Sequence, residues 1–290
     1  MKNCIMLITS KGYEDMTKIC LYSLLEHNLK NVSIHLYVDG NISEYAEFKN
    51  QIEIKTIDFK IPIIYKVNKN LTVPNLDIIA HRLFILDELK HKHDKIMLLD
   101  VDTLILEDFS EIFNFSDEFI YGCNHYSYHK DFTEPRNLKP LVNEKQPLFY
   151  FNCGVLLLPS KQLKRFNLFA EFLKELYVNG NDYVCPEQDL LNRIFDNKQN
   201  LDDCYNYTPR NMFQQQIKIV HFAGPSKPNK VEDFVLLLDN KIYLKYFSYI
   251  RKYKNKISKQ FFEEVENKIN NFYEFVKINN IDLRNILKIK

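Results

Sequence analysis

The chain has 290 residues, 46% of them hydrophobic, which is enough for one large α/β domain with a substantial core. Its 39 basic and 38 acidic residues leave a formal charge of +1, too little for the general field a nucleic-acid binder uses to collect phosphates, so basic surface must be local. The cysteines at 4, 20, 123, 153, 185 and 204 include no C-x-x-C pair, the apolar start is too short for a signal peptide, and no run of about 18 apolar residues occurs. A zinc knuckle, a redox pair and a membrane span are therefore set aside for a soluble, cytoplasmic chain with reduced thiols.

Cys4–Thr9 reads as a buried strand, and Asp15–Glu26 has helical spacing with an acidic start. Ser33–Val38 is a second strand ending at Asp39-Gly40, and Glu53–Phe59 a weaker third. Ile78–Lys90 carries apolar residues at helical intervals and leads into the strand Ile96–Leu99. Phe119–Gly122, Gly154–Leu158 and Ile217–Val220 read as further strands, with one helix over Lys161–Tyr177. Strands alternating with helices predict an α/β fold with a largely parallel, covered sheet that binds ligands at the carboxyl ends of its strands. Residues 1–240 are expected to form this domain, and residues 241–290 a helical extension.

Within K-I-M-L-L-D-V-D-T (Lys95–Thr103), Asp100 and Asp102 follow an apolar run. In extended chain, residues two apart share a face, so both charges persist together only if something positive lies between them. The alternative is an ordinary aspartate-rich turn. I-K-I-V-H (Ile217–His221) repeats the pattern and adds an imidazole, with Gly224 and Lys227 behind it in A-G-P-S-K-P. Two carboxylates with one histidine suit Mn²⁺ or Mg²⁺ better than zinc. Gly224 allows close backbone approach and Lys227 brings a cation to a phosphate. A core histidine and a solvated lysine remain the alternative readings.

L-L-D-V-D-T-L-I, Y-F-N-C-G-V-L-L-L (Tyr150–Leu158), E-Q-D-L-L-N (Glu187–Asn192) and H-F-A-G-P-S-K-P (His221–Pro228), in that order, resemble glycosyltransferase family 8, the glycogenin and bacterial lipopolysaccharide galactosyltransferase group. The resemblance runs from Cys4 to Pro228 and implies the GT-A fold, a single Rossmann-like mixed sheet flanked by helices. It further implies a UDP-sugar donor, Mn²⁺ (or Mg²⁺), transfer of a hexose to a hydroxyl-bearing acceptor, and retention of configuration. By the same resemblance Asp100, Asp102 and His221 bind the metal, and the backbone of Val101 contacts the nucleotide. Thr9, Ser10 and Tyr13 lie near the base, Arg82 meets the donor, and Gly224 and Lys227 clamp the diphosphate. Asn152 sits beside the sugar and Gln188 near the reacting carbon; on chemical grounds Glu187 is the nearest candidate nucleophile or dipole partner, with Gln188 as the alternative. The chain departs from the family at Glu187, where aspartate is usual, and at Asn229, where tryptophan is usual. A sugar-nucleotide-binding scaffold without turnover is the competing expectation.

Lys241–Gln260 holds seven basic residues and no acidic ones, interleaved with Tyr, Phe and Ile. Such a helix can rest on an anionic membrane surface or pack on the domain with its lysines solvated. Phe261–Phe275, with both charge signs, reads as another helix. Tyr126–Gln146, where acceptor choice would be set, shows no readable code, and no composition signal fixes the oligomeric state.

Overall fold

The apolar run that opens the sequence becomes a strand with Cys4 to Leu7 wholly buried. The computed structural model describes residues 2–27, 29–58, 76–124, 149–179, 185–209, 216–224, 227–228 and 241–278, so Asn229 and the segment 126–146 lie outside the described residues. In chain order the elements are β1 (Asn3–Ser10), α1 (Glu14–Leu25), β2 (Val32–Asp39), β3 (Glu53–Thr56), α2 (Leu76–Leu89), β4 (Lys95–Leu99), β5 (Thr103–Ile105) and β6 (Ile120–Asn124). Then follow β7 (Phe151–Pro159), α3 (Ser160–Leu163), α4 (Leu168–Asn179), α5 (Pro186–Ile194), β8 (Lys198–Asn200), β9 (Ile219–His221), α6 (Lys241–Lys252) and α7 (Lys259–Ile278). They group into two compact units.

The first unit comprises Met1–Lys11, Leu29–Asp100 and Ser110–Asp203. Its seven-stranded sheet has the order β3-β2-β1-β4-β7-β6-β8. The four strands from β3 to β4 are parallel, as the alternation predicts. β7 is antiparallel to both β4 and β6, so the sheet is mixed. The sheet is still largely parallel, since β6 and β8 run with the first four strands, and β7 alone is reversed; a strand covered on both faces shows the same continuous apolar run whichever way it points. Leu83, Leu86, Phe172, Leu176, Leu190 and Leu191 from α2, α4 and α5 pack in one cluster with Met6, Ile96 and Leu98 of the sheet.

The single helix expected over Lys161–Tyr177 is two helices, α3 and α4. Asn167 is the reason, because its Oδ1 accepts from the Ala170 N–H at 2.9 Å and so caps α4. The Asp87 carboxylate accepts from Leu168 and Phe169 N–H at 3.1 and 2.8 Å, anchoring the new start to α2.

Gly122 on β6 marks a close approach of two strands. A Cβ there would lie 2.6 Å from Leu156 Cδ2 and 2.8 Å from Phe151 Cβ, and both neighbours are fully buried, so one of them must shift within the core. Gly122→Ala is expected to cost about 1–3 kcal/mol of stability through overpacking, read as a lowered denaturation midpoint in urea.

The second unit comprises Gly12–Asn28, Val101–Phe109 and Cys204–Lys290. β5 and β9 form a two-stranded antiparallel sheet in the register Thr103↔His221, Leu104↔Val220, Ile105↔Ile219. β9 matches the expected strand at Ile217–Val220 with shifted ends, whereas the three-residue β5 is too short for periodicity to reveal and was missed in the sequence. α6 buries Ile242, Tyr243, Tyr246, Phe247 and Ile250 with Met16 and Ile19 of α1, Val220 and Phe222, and Val265, Ile269 and Phe272 of α7. The aromatic residues of the basic stretch are thus core side chains, while Lys245, Lys252, Lys254 and Lys256 are exposed. Tyr249, Lys252 and Tyr253 all donate to the Glu26 carboxylate, and the ring of Tyr253 stacks on Tyr22 at 3.9 Å. Among the described residues no helix is long and apolar enough to cross a membrane.

Candidate functional site

β4 delivers Asp100 at its carboxyl end, where the Asp100 N–H donates to Gly154 O of β7 at 2.8 Å. In the first unit its carboxylate accepts from Nη2 of Arg82, and Nη1 of Arg82 donates to Glu187 Oε2 at 2.9 Å. Arg82, expected to meet the donor, therefore grips two carboxylates brought together from β4 and α5. Burial works against its charge, but Asp100 and Glu187 hold the proton on more firmly than an ordinary guanidinium would.

Glu187 is almost wholly buried. Burial and the Asp100 charge outweigh the pull of Arg82 and push its carboxyl from the ordinary 4.5 up to about 7. The folded chain thus keeps a proton at pH values where the unfolded chain has lost it. Stability from this group is greatest below the ordinary glutamate value and falls as pH rises through 7. Glu187→Gln is expected to remove a pH-dependent loss on the order of 2 kcal/mol between pH 5 and 7.5, measured by urea unfolding across that range.

Gln188, next on α5, accepts at Oε1 from the Cys153 N–H at 3.0 Å and from Asn152 Nδ2 at 3.3 Å. Asn152 Oδ1 in turn accepts from the Gly154 N–H at 2.8 Å, so the two amides are fixed against β7. Two residues that sequence reasoning passed over lock α5 to the same strand. Asn192 pairs both ways with the backbone of Phe151, and Asp189 accepts from the Tyr150 hydroxyl at 2.5 Å. Both lay within the quoted E-Q-D-L-L-N, where buried polar residues at helical spacing were the available signal. Thr9 and Ser10 close β1, Thr9 buried and Ser10 partly so.

The chain passes into the second unit between Asp100 and Val101. Val101 and Asp102 are buried, and Asp102 O accepts from the Phe222 N–H at 2.9 Å. Asp102 Oδ1 lies 3.4 Å from His221 Nε2, and Oδ2 accepts from the Lys227 ammonium. Burial would raise the Asp102 carboxyl, but His221 and Lys227 hold it well below the usual range, so it is ionised at any physiological pH. Asn206, a partner with no sequence signal, meets His221 Nδ1 at 3.0 Å. With Asn206 Oδ1 accepting the Nδ1 proton, Nε2 is the nitrogen His221 turns toward Asp102, sharing a proton with that carboxylate or, without the proton, offering a lone pair to a cation. Lys227 also lies 5.7 Å from the centre of the Tyr13 ring at the start of α1. Gly224 has φ +56, the left-handed region where a side chain would be strained.

An ionised carboxylate and an imidazole lone pair at 3.4 Å fit neighbouring ligands of one divalent cation, which stand roughly 3 Å apart at octahedral angles. Chain connectivity keeps Asp100 two residues from Asp102. The oxygen-rich donor set matches a hard ion rather than zinc.

A profile for the family described as Glycosyl transferase family 8 matches residues 4–230. The chain belongs to this family. Among family 8 relatives in sequence, a glycogenin from Komagataella phaffii is 22% identical over 224 residues, covering 68% of this chain and 48% of that protein. A putative glycosyltransferase from Haemophilus influenzae is 26% identical over 149 residues, covering 46% of this chain and 43% of that one. The chain thus spans about half the length of the relatives it matches. The galactosyltransferase LgtC, solved with donor and acceptor sugar analogs, superposes with a TM-score of 0.66 at 16% identity, covering 88% of this chain and 100% of LgtC. An LgtC active-site mutant gives 0.68 at 15% identity, with the same coverage. The fold of this family 8 chain is GT-A, as the resemblance implied.

Proposed function

We propose that the chain is a retaining, metal-dependent glycosyltransferase that moves a hexose from a UDP-sugar to a hydroxyl of a glycan, a lipid-linked saccharide or a protein. Membership of family 8 supports the reaction class. The observation that carries the reading is the buried, ionised Asp102 held between His221 Nε2 and Lys227. A carboxylate that stays charged at 8% exposure is costly unless cations share it, and a diphosphate site needs cations.

In this reading Asp100, Asp102 and His221 hold Mn²⁺ or Mg²⁺, which when bound supplies Lewis-acid neutralisation of the diphosphate leaving group. Lys227 adds a second positive charge to that oxygen, so no separate acid is required. Gly224 leaves the backbone open to the phosphates, and Thr9, Ser10, Tyr13 and the Val101 backbone are assigned to the uridine. Asn152 and Gln188, locked by their mutual hydrogen bond, orient the sugar near the reacting carbon. Glu187, gripped by Arg82, is assigned to the sugar hydroxyls, with Arg82 setting its position.

A reducing, cytoplasmic setting is assigned, all six cysteines being thiols rather than disulfides. Peripheral attachment at an anionic membrane is assigned to the exposed lysines of the stretch around α6, because its aromatic residues are occupied in the core.

Release of UDP from a panel of UDP-sugars, with and without Mn²⁺, tests the proposal. Metal-dependent release with one of them is expected. Tight UDP binding without release from any would instead assign the chain as a silent sugar-nucleotide-binding protein.

A further inference from the structure

A second group of ligand-type side chains lies in the first unit, at the other end of the parallel strands from Asp100. Cys4 on β1, His35 on β2 and His93, in the turn before β4, each offer one ligand atom within 4.8 Å of the others. Register places them deliberately: His35 pairs with Met6, two residues from Cys4 and on its face, and with Glu53 at the start of β3. The backbone fixes His93 from both sides, its N–H donating to Leu89 O at 3.1 Å and its carbonyl accepting from Ser160 Oγ at 2.6 Å.

The hydrogen bonding around His35 leaves one ring nitrogen open. Ser33 Oγ lies 3.3 Å from Asn3 O and 2.9 Å from His35 Nε2. When the serine proton goes to Asn3, the serine oxygen accepts the Nε2 proton and His35 Nδ1 carries the lone pair. Nδ1 is buried without a hydrogen-bond partner, in a side chain 3% exposed, and lies 3.3 Å from Glu53 Oε2. In that tautomer two acceptors face each other, and a cation between them would join them. Nδ1 of His93 is likewise buried without a partner, and the two rings meet edge to face at 5.0 Å.

We propose that Cys4, His35 and His93, with Glu53 as fourth ligand, hold a zinc-class divalent cation at the amino ends of β1 and β2, a site separate from the donor metal. Thiolate, imidazole and carboxylate are all zinc ligands, and one thiolate, two imidazoles and one carboxylate would complete a four-coordinate tetrahedral shell. Ligand atoms around tetrahedral zinc stand roughly 3.5 Å apart, so a group already within 4.8 Å needs only side-chain rotation to close. Lys55, 3.1 Å from Glu53 Oε2, competes for that carboxylate and must swing to solvent, where it is already half exposed. Burial keeps both imidazoles neutral, the ligating form, and keeps the Cys4 thiol protonated until an ion arrives. On binding, the S–H bond breaks, its proton goes to solvent and the sulfur lone pair forms the metal bond. No C-x-x-C announces the site, because its ligands come from four separate segments. The ion would tie β1, β2, β3 and the α2–β4 turn together.

Co²⁺ titration of the full chain tests this, because only a thiolate ligand gives the intense near-ultraviolet charge-transfer band, and the Asp100, Asp102 and His221 set contains no sulfur. A band saturating at one equivalent, displaced by Zn²⁺ and kept in Cys185→Ser, is expected. It should be lost in Cys4→Ser and in His93→Gln, the latter a partly buried turn residue that serves as a second variant beside the fully buried Cys4. No band in the unaltered chain, a band that survives His93→Gln, or one that disappears with Cys185→Ser would overturn the proposal.

Discussion

Asp102→Asn is expected to reduce metal-dependent UDP release by about 10²–10³-fold, the effect of weakening the hold on the cation that neutralises a developing oxyanion. The replacement keeps the shape of the side chain and removes only its charge, so the loss separates electrostatics from packing. It also leaves the Lys227 ammonium, nearly buried beside the Tyr13 ring, without its carboxylate. Removing one member of a buried pair costs about 3–5 kcal/mol. The variant should therefore melt lower than the unaltered chain and gain no stability from added Mn²⁺, whereas the unaltered chain should gain. Activity is measured as UDP released per enzyme and stability by thermal unfolding on the same preparations. Full activity with a lowered melting point would confine Asp102 to a structural role.

Arg82→Met is expected to be strongly destabilising. The guanidinium neutralises Asp100 and Glu187 at once, and its loss leaves two carboxylates from different elements repelling each other in a buried place. A cost of about 3–5 kcal/mol, or a melting temperature lower by roughly 10 °C, is expected at pH 8. Acid should relieve part of it, because Glu187 already leans toward its protonated form and loses the guanidinium that opposed protonation. Combining Arg82→Met with Glu187→Gln should recover stability that Glu187→Gln alone does not provide, giving a coupling energy of about 1–3 kcal/mol in a double-mutant cycle. Strict additivity of the two changes would contradict the pairing.

Features local in sequence were legible, and those made by long-range pairing were not. β1, β2, β4, α1 and α2 follow from apolar period and acidic helix starts, because each buries an apolar stripe, α2 against the seven-stranded sheet and α1 in the core of the second unit. Asp100 and Asp102 were visible because an apolar strand ending in two charges is physically awkward, and His221 because it ends β9 in the same way. By contrast, Arg82 and Glu187 are 105 positions apart, and His221 and Asn206 are 15, so only folding reveals their bonds. The fate of α6 was ambiguous for a different reason. An aromatic stripe on a basic helix looks the same whether it awaits a membrane or a core, and here Tyr243, Tyr246 and Phe247 are wholly or almost wholly buried. The break before α4 could have been read from Asn167, a preferred helix cap in the middle of an otherwise continuous apolar pattern.

Uptake of Mn²⁺ in the presence of UDP, followed by the electron paramagnetic resonance of the free ion, tests the assignment of Asp100, Asp102 and His221 most directly. The unaltered chain should remove one equivalent of Mn²⁺ from solution, while Asp102→Asn and His221→Gln, each folded by circular dichroism, should remove none. Equal uptake by all three proteins would place the ion elsewhere and contradict the account.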